Sequence, residues 1–182
     1  MRTRQGGKMK EYFENAMSIY FAKMYDNAII PTKERENAGY DFYACFAEDF
    51  FVIEPYQTRL VPTGIAWASS EEFYLQIEER SGTGSKGIKR SAGVIDSGYR
   101  GEIKIAVFNA TRKTLVISKI DEELLKNMHP ELADAFVYPY AKAIAQGVVH
   151  RVEDMQVNEI SYEELSRIPS TRGTGAWGHS GK

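Results

Sequence analysis

The chain has 182 residues, enough to bury a sizeable core in one domain, and its 23 basic and 25 acidic residues leave a net charge of −2. So balanced a surface excludes gripping nucleic acid or an anionic membrane by bulk charge, and any anionic ligand has to be held locally. The single cysteine, Cys45, excludes an internal disulfide framework, and no apolar run approaches the roughly 20 residues of a membrane-spanning helix, so the expected compartment is the cytoplasm.

Residues 1–17 carry charge without a sustained apolar run and read as an N-terminal extension rather than a secretion signal. Residues 18–25 are short, aromatic and β-like, and Pro31 with the charged stretch up to Asn37 marks a loop. Further β-type runs follow at 40–45, 50–53, 59–66, 73–78, 103–109, 114–117 and 144–152, each bounded by Gly, Pro, Ser or charged turns. Many short strands at this spacing predict an all-β barrel or jelly roll. One segment breaks the pattern. Residues 121–137 predict an inserted helix, because Leu124, Leu125, Met128 and Leu132 fall near helical spacing behind acids in the first turn. A shorter helix is expected over 162–167, with Ser161 as its cap and Glu164 completing a capping box. Residues 171–182 are glycine-rich without strand or helix pattern and predict a mobile C-terminal arm, which leaves 18–170 as the β domain.

Chemistry concentrates in a few places. In the run GVIDSGYRGEI at 93–103, Val94 and Ile95 favour extended backbone and Gly98 permits a turn, while Ile103, Ile105 and Val107 resume alternation. Asp96 and Tyr99 are thereby expected at a hairpin tip. A carboxylate there can take a proton from water and an aromatic face can pack on a sugar or base; the same residues also make an ordinary Asp-Ser-Gly turn. RSGTGSKG at 80–87 gathers Arg80, Ser81, Gly82 and a lysine into a loop suited to phosphate oxygens, although it lacks the P-loop spacing and reads equally as a flexible loop. AGYD at 38–41 places Asp41 at a strand entry, where turn chemistry alone accounts for it. In the tail, Arg172, Gly178, His179 and Ser180 surround Trp177, a set able to close over a base and phosphates or to remain a solvated terminus. With His129, His150 and His179 as the only histidines and no C-x-x-C, a protein zinc site is not expected.

Taken in order, AGYD, RSGTGSKG, GVIDSGYRG, AKAIAQ and RGTGAWGHSG resemble the five ordered motifs of the trimeric dUTPase family. The resemblance implies a jelly-roll subunit in a homotrimer, active sites shared between chains and closed by the C-terminal arm, and Mg²⁺-assisted conversion of dUTP and water to dUMP and pyrophosphate. By position it implies Asp96 as the general base and Tyr99 packed under the deoxyribose, where it excludes a 2′-hydroxyl. The backbone from Arg90 through Gly93, Val94 and Ile95 would form a uracil slot. Arg80, Ser81 and Gly82 would hold phosphates from another subunit, Gln146 the α-phosphate region or the water, and Arg172 the γ-phosphate. Trp177 would cover the base, with Gly178 and Ser180 at the phosphates and Lys104 contacting substrate. Asp41 would act on the metal through water, with no direct protein ligand.

The chain departs from the family pattern at Ala141, Lys142 and Ala143, where Gly-Asp-Arg is usual, and at Ala176, Trp177 and His179 in the arm. Arg90 stands where some relatives carry Asn. Lys142 would compensate for the missing arginine only along a different backbone path. The insert reads either as a brace on its own β domain or as a surface for a regulatory protein partner. Two rivals remain open: a dCTP deaminase or bifunctional deaminase and dUTPase, whose chemistry expects a glutamate after the hairpin and which Glu102 keeps open, and a nucleotide-gated regulatory binding protein acting through the insert.

Overall fold

The computed structural model describes residues 18–175. Its β unit ends at Val152. In chain order it contains β1 (Ile19–Lys23), β2 (Gly39–Phe42), β3 (Phe50–Ile53), β4 (Thr58–Pro62), β5 (Ile65–Ser69), β6 (Phe73–Glu78), a helical turn α1 (Ser81–Gly84), β7 (Ile88–Arg90), β8 (Val94–Ile95), β9 (Lys104–Asn109), β10 (Leu115–Ser118), α2 (Glu122–Met128), β11 (Phe136–Pro139) and β12 (Ala145–Arg151). The strands form four ladders, β1-β5, β11-β10-β3, β2-β12-β6-β8 and β4-β9-β7. All pairings are antiparallel except β10 with β11. No ladder closes on itself, so the architecture is jelly-roll-like rather than a continuous barrel.

Alternation builds the core. In β5 the pattern is buried at Ile65, Trp67 and Ser69 and half-buried between them, which places Trp67 inside beside Phe42, Leu75, Ile77, Ile103 and Ile105. Each such side chain contributes about 1.5–3 kcal/mol by leaving water. β10 is buried along its whole length because it is covered on both faces: Leu115 and Ile117 join the main core, while Val116 meets Leu125, Leu132 and Ala135 in a second cluster.

Three expectations need correction. The run 59–66 is two strands, separated at Thr63 and Gly64; Gly64 takes φ +65° and turns the chain from the β4 ladder into the β5 ladder. The helix expected over 121–137 ends at Met128, since Pro130 has no N–H to continue it and starts a separate 3₁₀ turn through Leu132. Phe136 and Val137 belong instead to β11, a strand that the leucine spacing concealed. Nor is there a hairpin around Asp96, because β8 pairs with β6 whereas β9 pairs with β4 and β7.

The segment from Glu153 is a separate unit. It holds α3 (Tyr162–Arg167), capped as expected: the Ser161 hydroxyl accepts from the Glu164 N–H at 3.1 Å, and Glu164 accepts the Ser161 N–H at 2.9 Å. None of its described side chains is buried. No helix among the described residues is long and apolar enough to cross a membrane.

Candidate active site

Two groups of polar side chains stand out, and each is positioned by strand register. The first lies where β2, β12 and β6 run side by side. Gln146 of β12 is opposite Asp41 of β2 on one side and Glu78 of β6 on the other. Arg80, just past the end of β6, reaches back to Asp41, Nε to Oδ1 at 2.8 Å and Nη2 to Oδ2 at 3.4 Å, and donates from Nη1 to the Ala143 carbonyl at 3.2 Å. Three of the five guanidinium N–H donors are engaged, so two remain for a ligand. The Tyr138 hydroxyl donates to the same carbonyl at 2.8 Å, and burial pushes that phenol's pKa up, outweighing the opposing Arg80 charge.

Gln146 donates from Nε2 to the Glu79 carbonyl at 2.8 Å. Its amide oxygen lies over Gly39, where a Cβ would come within 2.5 Å of it. Gly39 therefore opens the space that this side chain fills. Glu79 and Glu78 hold Arg90: the Arg90 N–H donates to Glu79 Oε1 at 3.1 Å, and its guanidinium donates to Glu78 Oε2 at 3.0 and 2.9 Å. Burial works against ionisation of Glu79, but the N–H bonds it accepts and the Arg90 and Lys89 charges outweigh this and lower its pKa. Ser81 and Gly82 are exposed, on the helical turn α1 rather than the irregular loop expected there.

The second group follows β8. This two-residue strand is the outer edge of its sheet, so the backbone groups on its free side are unpaired. On its inner side the Gly93 carbonyl accepts from the Ile77 N–H at 2.7 Å. Asp96 comes next, its side chain exposed and its carbonyl fixed twice: by the Trp67 indole N–H at 3.2 Å and by the Tyr99 N–H at 3.1 Å. The second bond closes a tight turn in which Gly98 has neither a left-handed φ nor a crowded Cβ direction, contrary to the expectation that it enables the bend. Tyr99 is half exposed; its ring lies over Gly101 and its hydroxyl donates to the Glu102 carbonyl at 3.0 Å. Glu102 is almost enclosed: Oε1 accepts the Gly64 N–H at 2.9 Å and Oε2 lies 3.7 Å from Lys104 Nζ. It is a structural carboxylate that fixes the bend at Gly64, which counts against the deaminase alternative.

Asp41 bonded to Arg80, and Gln146 and Arg90 bonded to Glu79, thus form the first group, brought together by strand register and by Glu79 and Arg80 being chain neighbours, and Asp96, Tyr99, Glu102 and Lys104 form the second. No hydrogen bond or ion pair among the described residues joins the two. The sequence reading missed Glu78, Glu79, the Ala143 carbonyl and Trp67. For Trp67, alternation in β5 signals an inward side chain, but nothing local signals that its indole reaches Asp96. In the separate C-terminal unit, Arg172 donates from Nε to the Gly175 carbonyl at 2.7 Å. Trp177, Gly178 and Ser180 lie outside the described residues.

The dUTPase family model matches residues 26–122. A deoxyuridine 5′-triphosphate nucleotidohydrolase of Leptospira interrogans serogroup Icterohaemorrhagiae serovar copenhageni is 39% identical over 105 residues, covering 56% of this chain and 72% of the relative. The enzyme so named from Wolinella succinogenes is 33% identical over 170 residues, covering 91% of this chain and 95% of that one. In fold, the chain is similar to the solved structure of Staphylococcus bacteriophage 80alpha dUTPase with dUPNHPP, at a TM-score of 0.69 and 20% identity over 91% of this chain and 99% of the other.

Proposed function

The chain belongs to the dUTPase family and is a dUTP-hydrolysing enzyme, and on that premise we propose how its residues divide the work. The observation that carries the reading is that Asp96 directly follows an edge strand. A planar base can lie along the outer side of Gly93, Val94 and Ile95 and meet the backbone N–H and C=O that Val94 turns to the free edge, while the adjoining carboxylate faces the phosphates. Tyr99 packs under the deoxyribose. Asp96 takes a proton from water as the water oxygen bonds to the α-phosphorus; the bond to the bridging oxygen breaks, and pyrophosphate leaves with that electron pair. The two unspent N–H donors of Arg80, with Ser81 and Gly82, grip the phosphates, and Asp41 keeps the guanidinium aimed. Gln146 holds the α-phosphate region or the attacking water with its remaining amide N–H. Lys104 lies at the substrate's edge.

Asp41, whose oxygens each accept one Arg80 bond, keeps lone pairs able to hold a metal-bound water, and no group of three or more His, Cys, Asp or Glu among the described residues would cage an ion directly. That donor set fits Mg²⁺ carried on the triphosphate. Bound there, it would offset charge on the departing pyrophosphate. Among the described residues no hydrogen bond or ion pair joins the two groups, and in this reading a homotrimer completes each site, Asp96 of one subunit meeting Arg80 of another. Residues 171–182 would serve as the closing arm, with Arg172 meeting the γ-phosphate and Trp177, Gly178 and Ser180 meeting the base and phosphates.

Product analysis with purified protein and Mg²⁺ tests this, offering dUTP, dTTP, dCTP and UTP separately. Selective conversion of dUTP to dUMP and pyrophosphate is expected. Ammonia from dCTP would move the chain to the deaminase branch.

A further inference from the structure

Arg80 is held at both edges of its guanidinium. One edge meets Asp41, Nε to Oδ1 at 2.8 Å and Nη2 to Oδ2 at 3.4 Å, and the other donates from Nη1 to the Ala143 carbonyl at 3.2 Å. The two anchors differ in kind. The Arg80 and Asp41 side chains are 35% and 33% exposed, and an ion pair so open to water holds its geometry weakly. The carbonyl is instead set from the core. It accepts the Tyr138 hydroxyl at 2.8 Å, and Tyr138 is 5% exposed, packed in the main core from a position opposite Ile117 in the parallel β10–β11 ladder. On either side of Ala143 the chain is fixed by backbone bonds: the Lys142 N–H donates to the Pro139 carbonyl at 3.0 Å and the Ile144 N–H to the Phe42 carbonyl at 2.8 Å. The Ala143 carbonyl itself receives no backbone N–H among the described residues. A carbonyl oxygen has two lone pairs, and here one meets the phenol and the other the guanidinium.

We propose that Tyr138 is a positioning residue for dUTP hydrolysis: from the core it fixes the direction of the Ala143 carbonyl, and that carbonyl aims the Arg80 guanidinium and the two N–H donors it keeps for phosphate. The inference rests on the reading of Arg80 as a phosphate-gripping residue and adds to it the group that does the aiming. Aim matters because a guanidinium is a planar fork whose bonds to phosphate oxygens are directional, and small misplacements of such a group cost rate steeply. Tyr138 itself touches no substrate. Its hydroxyl serves as a donor, and the burial that holds the phenol's pKa up keeps the proton in place. Within the run Phe136–Pro139 nothing local separates this side chain from an ordinary core aromatic; the role follows from the carbonyl that it shares with Arg80.

Tyr138→Phe tests this, because it keeps the buried ring and removes only the donor. The Ala143 carbonyl stays bonded to Arg80 but is free to turn. In this variant kcat/KM for dUTP should fall about tenfold, and calorimetric affinity for the non-hydrolysable α,β-imido analogue of dUTP should fall by a similar factor. The inhibition constant of deoxyuridine, which has no phosphate to grip, should stay as it was. A merely structural tyrosine would not separate the two ligands. Ile117→Val, which loosens the same ladder without touching the carbonyl, should leave both affinities unchanged, and binding stoichiometry reads the folded fraction in every variant. The deciding measurement is a double-mutant cycle of Tyr138→Phe with Arg80→Ala, followed by affinity for the imido analogue. With Arg80 gone, Tyr138→Phe should cost nothing further. Additive losses in the cycle would overturn the inference, and so would unchanged kcat/KM and analogue affinity in Tyr138→Phe alone. Coupling in the cycle by a protein that leaves dUTP intact would sustain this inference and defeat the proposed function; dUTP hydrolysis with additive losses would do the reverse.

Discussion

Asp96 is anchored through its backbone, by Trp67 and by Tyr99, while its side chain is left exposed, and this separation of anchoring from chemistry makes it testable at single residues. Asp96→Asn keeps the shape of the turn and removes the proton acceptor; turnover should fall by at least about 10²–10⁴-fold with nucleotide binding retained, measured by steady-state kinetics beside calorimetry. Trp67→Phe keeps the buried ring but removes the N–H. Loosened aim should lower kcat by up to about 10²-fold while KM hardly moves, a split that mere loss of stability would not produce. Glu79 contributes to the pH dependence of stability. Its folded pKa lies below the ordinary value of about 4.3, so its contribution to stability is complete above that pH and is lost as pH falls through the folded value. Melting temperatures followed from neutral pH downward should decline less steeply in Glu79→Gln than in wild type.

At the scale of elements, the sequence was legible where alternation or helical spacing ran without interruption. β3 and β6 sit on their expected bounds, and α3 carries the capping box foreseen at Ser161 and Glu164. It was illegible where two elements shared one apolar pattern. Leu124, Leu125, Met128 and Leu132 look like one helical face, yet only Leu125 and Leu132 are buried, and Pro130 divides the run. The insert braces the outer face of β10 through Leu125. Leu125→Ala should therefore cost about 2–5 kcal/mol, read from denaturant unfolding, while kcat of the remaining folded enzyme is preserved. β8 was read correctly as extended and wrongly as half of a hairpin, since two residues cannot announce which neighbour they will pair with.

At the scale of the molecule, the open question is how two unjoined groups become one site. If Asp96 and Arg80 act in different subunits of a trimer, Asp96→Asn and Arg80→Ala are each inactive alone, and co-refolding the two should restore part of the activity because some mixed sites receive both intact residues. Equally dead mixtures, with mixed trimers verified by mass, would place both residues in one chain's site. Removing residues 171–182 should slow turnover strongly and leave the unfolding transition of the β unit unchanged, because that unit's core lies within residues 18–152.

The sequence by itself determined the residue types and their order: an acid and an aromatic after a short β run, an arginine before serine and glycine, a glutamine on the last long strand. Those follow from local chemistry and from motif order, which no folding is needed to read. Only the tertiary structure decided that β8 is an edge with a free backbone, that Trp67 reaches the Asp96 carbonyl, that Gly39 makes room for Gln146, and that Tyr138 and Arg80 share the Ala143 carbonyl. Each joins residues far apart in the chain, and which distant strands pair, and in what register, is settled by how the apolar faces can all be buried at once.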